Sequence, residues 1–113
     1  MTNSNTPSSW LVIPKQFGRR PDAVFREPSD PVERAASEAA RIQHAAAIEV
    51  LDELARQGHP LSYLAEMLDE NVDHLRRKLY GQAQASLRDL CYWADALGVR
   101  TLEAAGSNTA ATR

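Results

Sequence analysis

The chain has 113 residues, 43% of them apolar and 25% charged, and a formal net charge of −2. That length suits one small domain rather than two, and the composition is that of an ordinary globular protein. A single cysteine, Cys91, excludes an internal disulfide and fits a reducing compartment, and the slightly acidic total gives no overall attraction to phosphate.

Alanine is abundant and β-branched residues are sparse after Val32. This predicts an all-α fold, a compact bundle of four to five helices with a long first helix and an extended N-terminal arm. The opening "MTNSNTPSSWLVIP" has no basic stretch and no apolar run longer than Trp10 to Ile13, so neither a signal peptide nor a membrane span is expected there, and a cytoplasmic location is. Residues 1–9 are polar and read as disordered. "WLVI" at 10–13 is either a short strand or an anchor that docks on the helical body or on a second subunit. Trp10, apolar and outside the domain, is the residue expected to dock. Four prolines and a glycine between residues 14 and 31 break regular structure, so residues 1–29 are expected to form a flexible, extended arm with Phe17, Val24 and Phe25 as docking points.

The domain proper is expected over residues 30–105, with a disordered tail at 106–113. Asp30 as N-cap, Pro31 in the first turn and Glu33 as the capping-box acid start a helix that Gly58 stops. Its second half offers Ile48, Leu51, Leu54 and Ala55 to a core. Its first half carries the small residues Ala35, Ala36, Ala39, Ala40, Ala45 and Ala46, which suit either the helix's own core or a dimer contact. After His59-Pro60 a second helix places Leu61, Leu64, Ala65 and Leu68 on one face. "DEN" at 69–71 breaks it, and Asn71 caps a third helix to about Tyr80 with Leu75 and Leu79 inward. Gly81 stops that helix. Ser86 and Asp89 cap a fourth, whose buried side is expected to hold Leu87, Leu90, Cys91, Ala94 and Leu97, with Tyr92 and Trp93 also packing; "VRTLEAA" reads as a last turn or short helix.

Charge is unevenly distributed. Residues 10–26 carry Lys15, Arg19, Arg20 and Arg26 against Asp22, a net of +3. Residues 27–70 carry ten acids against three arginines, a net of −7, and residues 71–88 return to +3 with Arg76, Arg77, Lys78 and Arg88 against Asp73. Two basic blocks thus flank an acidic body, and phosphate responds to the local field rather than to the total.

Two short helices around a three-residue break, the second bearing cations, form the helix–turn–helix pattern (about residues 61–80). The run "LDELARQGHPLSYLAEMLDENVDHLRRKLYGQAQASLRDLCYWADALGVRTL", residues 51–102, resembles the phage-repressor/Cro-like (XRE-type) helix–turn–helix family. Leu64, Ala65 and Leu68 in the first motif helix, Leu75 in the second, Gly81 after it and the "SL..L..WADALGV" of the fourth helix carry the resemblance. Three positions depart from it. Asp69 and Glu70 stand where the family has a glycine and an apolar plug, and Lys78 stands where an apolar residue is frequent.

The resemblance implies double-stranded DNA as the ligand, with the second motif helix in the major groove. Asn71, Asp73, Arg76 and Arg77 are then the expected base readers, and Lys78, Tyr80, Gln82, Gln84 and Arg88 the phosphate contacts. Lys15, Arg19 and Arg20 would form a DNA arm along the backbone or in a minor groove. A homodimeric bacterial or phage transcriptional regulator follows as the expected function. The alternative is a protein-interaction module, an antitoxin or adaptor, that uses the same scaffold and binds a protein partner through the N-terminal "WLVIP" arm and the alanine-rich helix. No enzyme, cofactor or metal site is expected: His44, His59 and His74 are scattered, and no nucleophile has an evident base.

Overall fold

Asp30 opens the long helix as its chemistry demands. Its carboxylate accepts a hydrogen bond from Glu33 N at 2.8 Å, and Pro31 supplies the preset first turn. In this computed structural model, which describes residues 6–98, helix α1 spans Pro31–Gln57. The capping box is displaced by one residue. Glu33 Oε1 takes the Ser29 N–H and the Ser29 hydroxyl, at 2.8 and 2.6 Å, rather than the Asp30 N–H.

Three shorter helices follow: α2 at Leu61–Leu68, α3 at Val72–Leu79 and α4 at Leu87–Leu97. The described chain is therefore all-α with four helices, and its first helix is the long one. The expected fifth element, "VRTLEAA", lies outside the described residues. Asn71 caps α3 through bonds from Asp73 N and His74 N, and Ser86 and Asp89 complete a reciprocal box on α4. Between α2 and α3 the chain turns at Asp69, which takes the left-handed conformation at φ 54°. A short polar side chain tolerates that region better than most residues, so Asp69 performs the turn that a glycine would otherwise make. The turn is closed by Asp69 N to Glu66 O and Glu70 N to Ala65 O, at 3.1 and 2.9 Å.

The main core lies between α1 and the three short helices. Ala46, Ala47 and Val50 of α1 meet Leu64 and Ala65 of α2, Leu75 and Leu79 of α3, and Leu90, Trp93 and Leu97 of α4. The two alanines let α1 approach closely, which turns the helix relative to the expected face: Ile48 and Leu51 are half-buried and Ala55 is exposed. Helix α4 is turned as well. Trp93 is wholly buried, whereas Cys91, Tyr92 and Leu87 are exposed. The large indole removes more apolar surface from water than a thiol or a first-turn leucine can, and it sets the inward face as Leu90, Trp93 and Leu97.

Residues 6–29 are not a free arm, and Trp10 docks on its own chain. Two 3₁₀ turns, Pro7–Trp10 and Pro14–Gln16, fold this segment back on the body. A single antiparallel bridge joins Leu11 to Phe25, supported by Val12 N to Val24 O at 2.9 Å and Arg26 N to Trp10 O at 2.7 Å. Trp10, Leu11 and Phe17 are buried with Ala40 of α1 in a second apolar cluster that Ala23 and Phe25 flank. Residues 6–9 belong to it too: Pro7 is buried and Ser8 N donates to Gly81 O at 2.9 Å. The prolines stop regular structure, as expected, but apolar side chains between them have surface to bury, and α1 offers the place.

Phe17→Ala is expected to lower stability by about 3–5 kcal/mol in urea melts, while Val12→Ala, at a largely exposed site of the same segment, changes it by less than about 0.5 kcal/mol. Equal, negligible effects would mean that the segment does not pack in solution.

Candidate nucleic-acid interface

Helix α3 turns Leu75 and Leu79 into the core, so Asp73, Arg76, Arg77 and Tyr80 fall on its outer side. The cations are not equivalent there. Arg76 Nη1 pairs with Asp73 at 2.6 Å, one turn back. Arg77 is exposed and has no ion-pair partner among the described residues. Asn71 spends its side-chain oxygen on capping, which leaves its amide NH₂ as the free end. Tyr80 is half-buried at the end of the helix, and Gln82 is exposed just beyond it.

Lys78, expected as a phosphate contact, has its ammonium engaged by acids of its own chain. Its ammonium is turned inward, 2.7 Å from Glu70 and 3.2 Å from Asp89, with only 19% of the side chain exposed. Burial works against the charge most strongly, yet the hydrogen bonds and charges of Glu70 and Asp89 together outweigh it and raise the Lys78 pKa. Asp89 is lowered for matching reasons: burial opposes ionisation, and the Ser86 N–H and the Lys78 ammonium outweigh burial. Two of the three positions that depart from the expected pattern, Glu70 and Lys78, therefore meet each other, and together they close the turn with an ion pair. Of the two acids of the turn, Glu70 is neutralised from within, while Asp69 has no ion-pair partner among the described residues.

The N-terminal basic block arrives beside α3 because its turn is pinned. Gly18 N donates to His44 Nδ1 at 2.9 Å, and His44 Nε2 donates to the Arg20 carbonyl at 3.0 Å. An acceptor at one ring nitrogen and a donor at the other require the neutral imidazole with its proton on Nε2. Phe17 lies against Gly81, where a Cβ would stand 2.6 Å from the ring, and Gly18 fits against the Leu79 carbonyl. Both glycines have φ near +75°, so each position needs glycine for conformation and for space. The Arg19 guanidinium then stacks on the Tyr80 ring, 4.1 Å from its centroid. Lys15 and Arg20 are exposed on the same turn region, Arg20 within 3.4 Å of Asp22.

Next to His44 on α1, Gln43 secures the other loop. It is buried, its Nε2 donates to the Lys78 and Ala83 carbonyls at 2.7 and 3.0 Å, and its Oε1 accepts from Ala85 N at 2.9 Å. Sequence reasoning missed both residues. The available signal was a polar pair, Gln43-His44, inside an otherwise apolar and alanine-rich face.

Arg88 stands apart from this group. It lines an open groove of about 670 Å³ with Asp69, Glu70 and Tyr92. Gln84 borders a different cavity, of about 350 Å³, with Trp10, Ala36, Ala39 and Leu87. The three histidines do not converge: His44 is buried in α1, His59 stacks on Tyr63 at 3.7 Å, and His74 is exposed on α3. Among the described residues no helix is long and apolar enough to cross a membrane. No protein-family model, curated protein or solved structure matches this chain.

Two stability measurements check this electrostatic arrangement. Lys78→Met is expected to cost about 1–3 kcal/mol, because Glu70 and Asp89 lose a charged partner, and adding Glu70→Leu should restore most of the loss. Burial above all, aided by the Arg41 charge and opposed by the hydrogen bond to the Arg20 carbonyl, holds the His44 pKa below its ordinary 6.5. The unfolded chain therefore takes up this proton at higher pH than the folded one. Stability should be full above about pH 6.5 and fall as the pH drops through that value toward the folded pKa. Thermal melts between about pH 7.5 and about pH 5 should show this slope, and His44→Gln should flatten it.

Proposed function

We propose that this chain is a sequence-specific DNA-binding protein, a bacterial or phage transcriptional regulator of the XRE-like helix–turn–helix kind that binds as a homodimer with α3 in the major groove. The observation that carries this reading is the outer face of α3. Arg77 stands exposed and without an acid partner among the described residues, and Asp73, Arg76 and the Asn71 amide lie beside it. A guanidinium fork matches the O6/N7 edge of guanine, and an amide or carboxylate matches adenine or cytosine. The homodimer follows from energetics: one module of this size makes few contacts, and two half-sites roughly add their free energies.

A second reading, a protein-interaction module such as an antitoxin or adaptor, has its own support. Val32 and Leu87 are 78% and 67% exposed, and the cavity of about 350 Å³ between the first half of α1 and the start of α4 is mostly apolar. A protein partner or the second copy of a dimer would suit that face.

Selection from a random duplex library at about 0.15 M salt, where surface charge is realistically screened, separates the readings. The expected result is an enriched palindrome with half-sites about one helical turn apart. Arg77→Ala should weaken binding to it by about 1–3 kcal/mol and relax one position while helicity is unchanged. No enrichment, or an Arg77→Ala variant that binds as well as the parent, overturns the assignment of α3.

A further inference from the structure

The N-terminal basic block was expected as a flexible arm, yet its turn is among the most tightly held segments of the molecule. Phe17 is completely buried, Gly18 and Arg20 are bonded through their backbones to the two nitrogens of His44, and Ser8 is bonded to Gly81 just upstream. The His44 bonds tie the turn to α1, while Phe17 against Gly81, Gly18 against the Leu79 carbonyl and Ser8 on the Gly81 carbonyl bring it to the C-terminal end of α3. A segment more than fifty residues away in sequence is thereby built into the end of that helix.

The turn presents its cations outward. The Arg19 guanidinium sits over the Tyr80 ring, 4.1 Å from its centroid, a cation–π contact that leaves its N–H groups able to donate elsewhere. Neither Arg19 nor the exposed Lys15 has an ion-pair partner among the described residues, in contrast to Arg20 with Asp22 and Arg76 with Asp73. Lys78, the cation that the sequence would have placed here, is turned inside. On α3 and the turn at residues 15–20, the cations left without an ion-pair partner among the described residues are Arg77, Arg19 and Lys15, and two of these three belong to the N-terminal segment.

We infer that the turn at residues 15–20 is a preformed clamp for nucleic-acid backbone phosphate, with Arg19, stacked on Tyr80, as its fixed element and Lys15 as its second charge. This rests on the reading of α3 as a DNA-binding helix and extends it: the groove-facing residues read, and a rigid turn from another part of the chain grips the backbone at the far end of the same helix. A guanidinium already immobilised on a ring loses little rotamer freedom on binding, so its contact adds to affinity on any sequence. A charge contact of this kind carries no base information, and it appears as salt dependence.

The test is fluorescence anisotropy of the full chain on a labelled duplex of about 25 base pairs, between about 50 and about 200 mM salt. The parent and the variants Arg19→Ala, Lys15→Ala and Arg34→Ala are compared, with circular dichroism as the folding control. Arg34 is exposed on α1, ten residues and so about 15 Å along the axis before His44. Its loss changes net charge equally without touching the turn.

Removing Arg19 is expected to lower the slope of log K against log salt by about 0.9, so that affinity falls about threefold less across that salt range. Lys15→Ala should act in the same direction, Arg34→Ala should leave the slope as in the parent, and Arg19→Lys should keep the slope but lower affinity because it loses the guanidinium contact with the Tyr80 ring. If the parent binds and Arg19→Ala has the parent's slope, or if Arg34→Ala reduces the slope equally, the clamp is wrong and the reading of α3 stands. If the parent shows no salt-dependent binding to duplex DNA at all, both are wrong.

Discussion

Two adjacent side chains in the middle of α1, Gln43 and His44, hold the rest of the molecule in place. Successive residues on a helix point about 100° apart, so neighbours can serve different structures. Gln43 reaches the loop after α3 and fills three hydrogen-bonding needs there, the carbonyls of Lys78 and Ala83 and the N–H of Ala85. His44 reaches the N-terminal turn and fills two, at Gly18 and Arg20. Both side chains are buried and the bonds they make are buried or partly buried, so a bond left unmade there would carry a desolvation cost. Buried polar pairs of this kind select one arrangement of loops over others, which an apolar contact of similar area would not do.

The loops so fixed are the ones that carry charge. With Gln43 holding the end of α3 and His44 holding the turn at 18–20, Phe17 and Gly18 can settle against Gly81 and the Leu79 carbonyl, contacts that no residue with a side chain could make at either glycine. The two basic blocks, which the sequence separates by an acidic stretch of net −7, then share a border where Arg19 meets Tyr80. A chain with a net charge of −2 thereby gathers cations from both blocks around one helix end. Charge order along the chain and charge order on the surface are different quantities, and a phosphate responds to the second.

The turn between α2 and α3 shows compensation at close range. An acid in place of an apolar plug and a lysine in place of an apolar neighbour each weaken a helix–turn–helix pattern when judged singly. In the folded chain they are one interaction, 2.7 Å across, which Asp89 extends to α4. The lysine methylenes still cover the core edge while the ammonium joins the acids. The pair leaves the triplet Arg76-Arg77-Lys78 with one cation facing in, one tied to Asp73 and one open to a ligand.

Much of this fold was legible in the sequence because its signals are local. The caps at Asp30, Asn71 and Ser86, the stops at Gly58 and Gly81 and the apolar spacing of α2 and α3 depend on residues within one or two turns of each other, where spacing alone fixes the geometry. What the sequence by itself determined is thus the all-α class, the order of the four described helices, and the outward placing of Asp73, Arg76 and Arg77 on α3. Only the tertiary structure decided which side of α1 and α4 turns inward, that Trp93 rather than Cys91 is buried, that residues 6–29 pack instead of trailing, and which cations stay free. The reason is physical: those outcomes depend on who meets whom across tens of residues, through a buried glutamine, a buried histidine and an ion pair whose partners no local periodicity connects.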